Sequence, residues 1–167
     1  MYKIYFYKDR HGRQQAYEYL RDLAGRKDKD SRIKLNKHND YLQALAEYGL
    51  KLGEPYVKHL QGDIWELRPL RDRSLFAVWN GECFVILHTF MKKTQKTPKR
   101  EIEQALREFA DSIKEHGVIQ PIIVKKSIKG YEIIAGERRT RASKIAGKET
   151  IPAIVRDFND QEMMEIA

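Results

Sequence analysis

A dense group of basic residues stands where a predicted strand ends and a helix begins. From His88 to Arg100 the sequence reads HTFMKKTQKTPKR, with five lysines and arginines within nine residues. Three arginines precede it in the predicted sheet: Arg68, Arg71 and Arg73. Such cations can neutralise a pentacoordinate phosphate, and an imidazole can move a proton. Cleavage of RNA by its own 2′-hydroxyl needs that inventory and no metal ion.

Each of these residues also has an ordinary structural interpretation. A lysine run between a strand and a helix is often a solvated loop, and His88 can be a packed or a surface histidine. Residues 71–73 can form a charged turn. Trp65 and Trp79 are expected in the core, although an exposed tryptophan could stack on a base. Residue types alone leave the catalytic and the structural interpretations both open.

The charge of the 167-residue chain is unevenly distributed. Residues 1–108 carry 22 Lys/Arg against 15 Asp/Glu, whereas residues 109–167 carry 10 against 9, and the total is +8. A polyanion is therefore the expected partner of the first part. No apolar run approaches the ~18–20 residues that span a bilayer, the first residues are too polar for a signal peptide, and Cys83 is the single cysteine. We expect a cytoplasmic protein with no metal site.

The apolar pattern predicts the order of elements in the first part. Alternation predicts a strand over residues 2–8, and helical spacing predicts a helix after Gly12 and a second one, capped by Ser31, that ends near Gly49. Three strand-like runs follow, Ile64–Arg68, Ser74–Trp79 and Cys83–His88, and Asn80-Gly81 is a strong hairpin signal between the last two. This is an α+β layout in which Arg68, Arg73 and His88 can share one sheet face.

A long helix and a second set of elements follow. Thr97 is the expected cap, Pro98 the first turn and Gly117 the end of this helix. The elements after it are a strand (Ile119–Val124), a turn at Lys129-Gly130, a strand (Tyr131–Ala135), a helix (Gly136–Ala146), a strand (Ile151–Val155) and a terminal helix opened by Asn159.

Residues 2–107 resemble the RelE toxin superfamily, in its HigB-like, phage-derived branch. The specific parts are WELRP, the arginine after a short turn, and LHTFMKKTQKTP. The resemblance implies a toxin of a type II toxin–antitoxin system. Such a toxin is a metal-independent mRNA endoribonuclease that acts on the ribosome without a cofactor and is neutralised by a cognate helix-turn-helix antitoxin.

The resemblance also implies roles for individual residues. Arg68 and Arg73 would bind or polarise the scissile phosphate, and His88 would be the acid or base. Lys92, Lys93 and Lys96 would hold the RNA backbone and stabilise charge. We expect Lys92 among the catalytic groups, and the predicted RNA-binding residues are Arg71, Lys93, Lys96 and Lys99.

Residues 109–167 resemble the amino-terminal domain of ParB partition proteins. The specific piece is Gly-Glu-Arg-Arg at 136–139, followed by Arg141-Ala142. A glycine at a helix start with arginines in the first turns can cradle a phosphate; the alternative is a capped amphipathic helix with solvent-facing arginines. The resemblance implies contact with the triphosphate of CTP, and the residues concerned are Gly136, Glu137, Arg138 and Arg139.

Two departures from the ParB pattern limit what the resemblance implies. Toxin sequence stands where the family has its opening strand, and the sequence stops before the family's next nucleotide-contacting motif and its helix-turn-helix. We therefore expect neither specific centromere binding nor nucleotide hydrolysis.

The predicted fold class is α+β. A RelE-like antiparallel sheet with two N-terminal helices (residues 1–97) is joined by a connector helix (98–116) to a small α/β ParB/sulfiredoxin-like fragment (117–167). The alternatives to a nuclease are a non-catalytic nucleic-acid-binding protein and a CTP-responsive regulatory fusion.

Overall fold

Apolar residues that alternate along strands and recur every three or four positions along helices divide the chain into two packed units. The structure, a computed structural model, describes residues 1–80, 83–116 and 122–156. Packing separates Met1–Phe109 from Ala110–Ala167. The boundary falls inside one helix, Lys99–His116.

The elements of the described residues follow in chain order. They are β1 (Lys3–Phe6), α1 (Gln15–Gly25), α2 (Lys29–Tyr48), a 3-10 turn (Gly49–Leu52), β2 (Val57–Gln61), β3 (Ile64–Leu67), β4 (Asp72–Asn80), β5 (Cys83–Met91), α3 (Lys99–His116), β6 (Ile122–Ser127), β7 (Gly130–Ala135), α4 (Glu137–Ile145) and β8 (Ala153–Val155). The predicted α+β class is confirmed. Predictions at Gly81, Gly117, Ile119 and Asn159 lie outside the described residues.

The first unit contains a five-stranded sheet in the order β1-β5-β4-β3-β2. Strands β2 to β5 form the expected antiparallel meander. Strand β1 corrects the prediction of an antiparallel sheet, because it pairs parallel to β5, with Lys3 opposite Cys83. Two helices separate β1 from the meander, so no hairpin fixes its direction. The sheet is therefore mixed.

The helix pair α1–α2 belongs to the main core of the first unit. Fully buried side chains, among them Leu45, Phe76 and Ile86, form its centre. Asp28, rather than the predicted Ser31, caps α2: its carboxylate accepts the Ser31 N–H at 2.9 Å. Ser31 is instead the third residue of the helix, where its hydroxyl donates back to Asp28.

The start of α3 also differs from the prediction. Thr97 was expected to cap the helix, but its hydroxyl donates to Glu66 Oε2 at 2.5 Å. The first turn of α3 is instead marked by the Pro98 carbonyl, which accepts the N–H of Glu101. Thr97 therefore fastens the residues before α3 to strand β3.

The second unit contains a three-stranded sheet in the order β7-β6-β8. Strand β6 pairs antiparallel with β7 and parallel with β8, in the register Ile122 opposite Ala153. Helix α4 follows β7 directly, and its preceding residue, Gly136, has a left-handed φ of 102°. Ile122 and Val124 of the central strand are buried.

Candidate nucleic-acid-binding and catalytic site

Three segments bring basic residues to one end of the first sheet. Arg68 directly follows β3, and Arg73 lies at the start of β4. The β4–β5 pairing places Asp72 opposite Met91, and one step further the Lys92 N–H donates to the carbonyl of Arg71 at 2.8 Å. The end of the β3–β4 turn and the start of the loop after β5 therefore lie side by side.

A buried carboxylate lies between the two arginines. Glu66 is 1% exposed, and its Oε1 is 3.5 Å from Nε of Arg68 and 3.9 Å from Nε of Arg73. Its other oxygen accepts the Thr97 hydroxyl. We call Arg68, Arg73 and Lys92 the cation cluster, and the carboxylate of Glu66 lies at its centre.

The two arginines differ in what their side chains do. Arg73 is 8% exposed, and its Nη1 donates to the carbonyls of Leu70 at 2.9 Å and Asp72 at 2.8 Å. Leu70 has a left-handed φ of 56°, so this guanidinium also holds a turn in a sparsely populated conformation. The Arg68 side chain is 25% exposed. Arg68 is therefore the more accessible of the two.

The electrostatics of Lys92 indicate that these cations act on one another. Burial lowers the pKa of Lys92 below 10.5, and the Arg73 guanidinium lowers it further. Arg68 and Lys58 act in the same direction, while Glu66 opposes them. Burial likewise lowers the pKa of Arg73. Lys92 is thus a lysine whose proton is easier to remove than in water.

His88 is not brought into the cation cluster. It is 2% exposed, and both ring nitrogens lie against carboxylates of α3: Nδ1 is 2.5 Å from Glu108 and Nε2 is 2.8 Å from Glu101. Burial alone would lower the pKa of His88, but the two carboxylates, Glu108 foremost, outweigh it and raise the pKa above 6.5. The imidazole therefore clamps α3 to the sheet, and its acid–base role stays a prediction.

The other predicted RNA-binding residues flank the cluster on the surface. Arg71, Lys93 and Lys96 are exposed. Lys99 begins α3, where its ammonium lies 4.0 Å from Glu103. These four side chains can add positive potential around the cluster, and they are outside its buried centre.

A second buried network lies at the same end of the sheet and was missed from the sequence. Asp72 is fully buried; it accepts from Tyr19 at 3.0 Å, pairs with Lys34 at 3.1 Å and meets His38 at 2.7 Å. Burial would raise the pKa of Asp72, but hydrogen bonds with His38 and Lys34 outweigh it and lower the pKa below 3.8. The network ties β4 to both helices.

Glu66 was also missed, although the sequence contains a signal for it. Glu66 lies two residues after the core residue Ile64 in β3, so both side chains face the same side of the sheet. A charged side chain therefore occupies an inward-facing position. An inward carboxylate requires a partner, and the arginine two residues later was available. Asp72, by contrast, lies between two arginines in a run that is compatible with a charged turn.

In the second unit, the predicted phosphate-binding residues surround the start of α4. A Cβ on Gly136 would lie 2.4 Å from Cγ2 of Ile122, so a side chain does not fit there. The Gly136 carbonyl accepts the N–H and the hydroxyl of Thr140, both at 3.0 Å. Glu137 pairs with Arg141 at 2.8 Å. Arg139 is half-buried, and the side chain of Arg138 is outside the described part.

Comparison with domain families divides the chain in a related way. The family described as phage-derived protein Gp49-like matches residues 29–110, and the ParB N-terminal domain matches residues 86–167. Each match covers just under half of the chain, and the two overlap from β5 into α3. The first match ends next to the packing boundary at Phe109.

Individual relatives come from the partition proteins. Stage 0 sporulation protein J of Bacillus subtilis is 55% identical over 65 residues, 39% of this chain and 23% of the relative. The chromosome-partitioning protein Spo0J of Thermus thermophilus is 49% identical over 69 residues, 41% and 26% respectively. The chain thus spans about a quarter of the length of these relatives.

A solved structure is also similar over part of the chain. It is the C-terminally truncated chromosome-partitioning protein ParB from Caulobacter crescentus, complexed with CTP-gamma-S. It is 38% identical and covers 44% of this chain and 41% of its own, with a TM-score of 0.35. Separately, none of the described helices combines the length and the hydropathy of a membrane-spanning segment.

Proposed function

We propose that the first unit is a metal-independent mRNA endoribonuclease, the toxin of a type II toxin–antitoxin system. The observation that carries the proposal is the clustering of Arg68, Arg73 and Lys92 around Glu66 at one end of the sheet. The Gp49-like match supports it, because that family is a RelE-like toxin family associated with endoribonucleases. The proposed setting is mRNA on the ribosome.

The chemistry is an attack of the RNA on itself. The 2′-oxygen forms a bond to phosphorus while the bond from phosphorus to the 5′-oxygen breaks, which leaves a 2′,3′-cyclic phosphate and a free 5′-hydroxyl. The proton of the attacking hydroxyl passes to water, and the Lys92 ammonium protonates the leaving oxygen. A lysine with a lowered pKa gives up its proton more readily, which suits this step.

The arginines supply charge to the transition state. Arg68, the more exposed of the two, contacts a non-bridging phosphate oxygen. Arg73 is buried and adds positive potential without contacting the phosphate. Fixed cations at developing negative charge typically contribute about 10²–10³-fold in rate each. No cofactor takes part in this scheme.

The exposed basic residues hold the strand on either side of the cleaved bond. Arg71, Lys93, Lys96 and Lys99 contact neighbouring phosphates, so binding weakens with salt. An antitoxin that covers this basic surface would block it. In this proposal the antitoxin is a helix-turn-helix protein.

Induction in cells followed by primer extension on mRNA tests the nuclease. We expect new 5′ ends with the wild type, none with Lys92→Met, and wild-type ends with Lys37→Met, which removes an exposed lysine of α2. Arg73 is the poorer choice for this test because it also holds the Leu70 turn. An active Lys92→Met protein, or a wild type that creates no ends, would refute the proposal.

A second candidate function belongs to the second unit. The glycine before α4 and the partition-protein match favour a nucleotide-responsive module in which the α4 start binds the phosphates of CTP. Titration calorimetry of the full chain with CTP tests it, with Arg139→Ala as the variant and Lys129→Ala as the exposed control. Absence of heat would eliminate this candidate.

A further inference from the structure

Glu66 is an unusual residue to find at the centre of a basic site. It is almost fully buried, and a carboxylate removed from water destabilises the fold unless charges and hydrogen bonds compensate. An apolar residue would satisfy the inward position of β3 at lower cost. Among the residues that the structure describes, the partners of Glu66 include Arg68 and Arg73, which the proposed nuclease uses, and Thr97, which fixes the adjoining loop.

The contacts of Glu66 reach every segment that carries the cluster. Through Arg68 it holds the end of β3, and through Arg73 it holds the start of β4. Through the Thr97 hydroxyl it holds the far end of the loop that begins at Lys92. The near end of that loop is fixed by the Lys92 N–H on the Arg71 carbonyl.

The pairing leaves the guanidinium group of Arg68 available. The two Nε–Oε1 distances, 3.5 and 3.9 Å, exceed those of strong charge-assisted hydrogen bonds. Nε of Arg68 and Nε of Arg73 are buried without a hydrogen-bond partner among the described residues. Glu66 therefore orients both groups by charge, and Arg68 can contact a phosphate without breaking a hydrogen bond to it.

We propose that Glu66 is the positioning residue of the cation cluster: its carboxylate holds Arg68, Arg73 and the lysine-bearing loop in the arrangement that receives the scissile phosphate. This inference rests on the proposed function. A second consequence concerns charge, because Glu66 opposes the effect of the arginines on Lys92. Without the carboxylate, Lys92 loses its proton at a lower pH.

Two readouts on the full chain separate positioning from folding. The first is the titration of Lys92, followed by NMR of ¹³C-labelled lysine side chains, which requires no cleavage. The second is the rate of RNA cleavage and its decline at alkaline pH. The variants are Glu66→Gln, which removes the charge, and Glu66→Asp, which keeps the charge one methylene away. Glu47→Gln, exposed on α2, is the matched control.

Glu66→Gln should lower the titration midpoint of Lys92 by about half a pH unit or more. It should also slow cleavage at least about tenfold and move the alkaline decline of the cleavage rate to a lower pH. Glu66→Asp should leave the midpoint near the wild-type value and still slow cleavage. Glu47→Gln should change neither. An unchanged Lys92 midpoint in folded Glu66→Gln would overturn the inference.

Full activity in Glu66→Asp would overturn it as well, and that variant decides the matter if Glu66→Gln does not fold. The two proposals fail in different ways. If Glu66→Gln shifts the Lys92 midpoint but the wild-type chain cleaves no RNA, the nuclease proposal is refuted. The control of the cluster by Glu66 would then still stand.

Discussion

Two sets of charged residues, one in each unit, are held in opposite ways. In the first unit Glu66 and Asp72 are buried and each meets several partners. In the second unit the Glu137–Arg141 pair is exposed, with side chains 68% and 72% accessible. Charges act more strongly on one another when water is excluded, whereas exposed pairs contribute little. We therefore expect substitutions at the buried charges of the first unit to have larger effects than substitutions at this exposed pair.

The largest expected effect that distinguishes the units is on cleavage. In the proposed nuclease, Arg68→Ala should reduce the rate of RNA cleavage about 100-fold or more, because it removes the cation that we propose contacts the phosphate. Arg141→Ala, a matched substitution in the second unit, should change the rate less than about twofold, since its charge is exposed and paired. Single-turnover rates on a synthetic mRNA bound to ribosomes measure both. Equal losses of cleavage rate in Arg68→Ala and Arg141→Ala would contradict the distinction between the two units.

The next effect is on stability. Asp72→Asn leaves Lys34 and His38 without their carboxylate in a buried site, and we expect a loss of about 3 kcal/mol in the free energy of unfolding. Glu137→Gln should cost less than about 0.5 kcal/mol. Urea denaturation followed by circular dichroism measures both. A loss below 1 kcal/mol for Asp72→Asn would mean that the buried network is dispensable.

The pH dependence of stability sharpens the role of the His88 clamp. The folded-state pKa of His88 lies above 6.5, so its contribution is complete below pH 6.5 and is lost as the pH rises through the folded value. The wild type should therefore be less stable at pH 9 than at pH 6. In His88→Gln this difference should shrink, whereas exposed His11→Gln should retain it. Parallel curves for wild type and His88→Gln would exclude the clamp.

The smallest effect concerns the exposed lysines. Lys96→Ala should weaken RNA binding several-fold and reduce the slope of log affinity against log salt by about 0.7, the value for one phosphate contact on a single strand. Lys129→Ala, in the turn of the second unit, should leave the slope unchanged. Fluorescence anisotropy across a salt series provides the measurement. Identical slopes for all three proteins would remove Lys96 from the interface.

Local patterns predicted much of the architecture. Alternation located β3 to β5, and it correctly indicated that positions 73 and 88 face the same side, since Leu75 pairs with His88. The sequence also places Gly136 at the start of a helix, and it directly precedes α4 with a left-handed φ that glycine adopts readily. These features depend on neighbours in sequence, and that is why the sequence reveals them.

Long-range partners account for what the sequence did not reveal. The carboxylates that clamp His88 belong to Glu101 and Glu108, which face it only after α3 packs on the sheet. The direction of β1 relative to β5 depends on the path that the chain takes through α1 and α2 before it enters the meander. Threonine is a common helix N-cap residue, yet the hydroxyl of Thr97 donates to the buried carboxylate of Glu66, 31 positions earlier in the chain. In each case tertiary contacts outweighed a local preference.

The measurement closest to the central claim is the chemical identity of the ends left on a cleaved RNA. Purified chain incubated with ribosomes that carry a synthetic mRNA should yield 2′,3′-cyclic phosphate and 5′-hydroxyl ends by mass spectrometry, and a 2′-deoxy substitution at the cleaved position should block the reaction. Products with 3′-hydroxyl and 5′-phosphate ends, or cleavage that survives the 2′-deoxy substitution, would contradict the account.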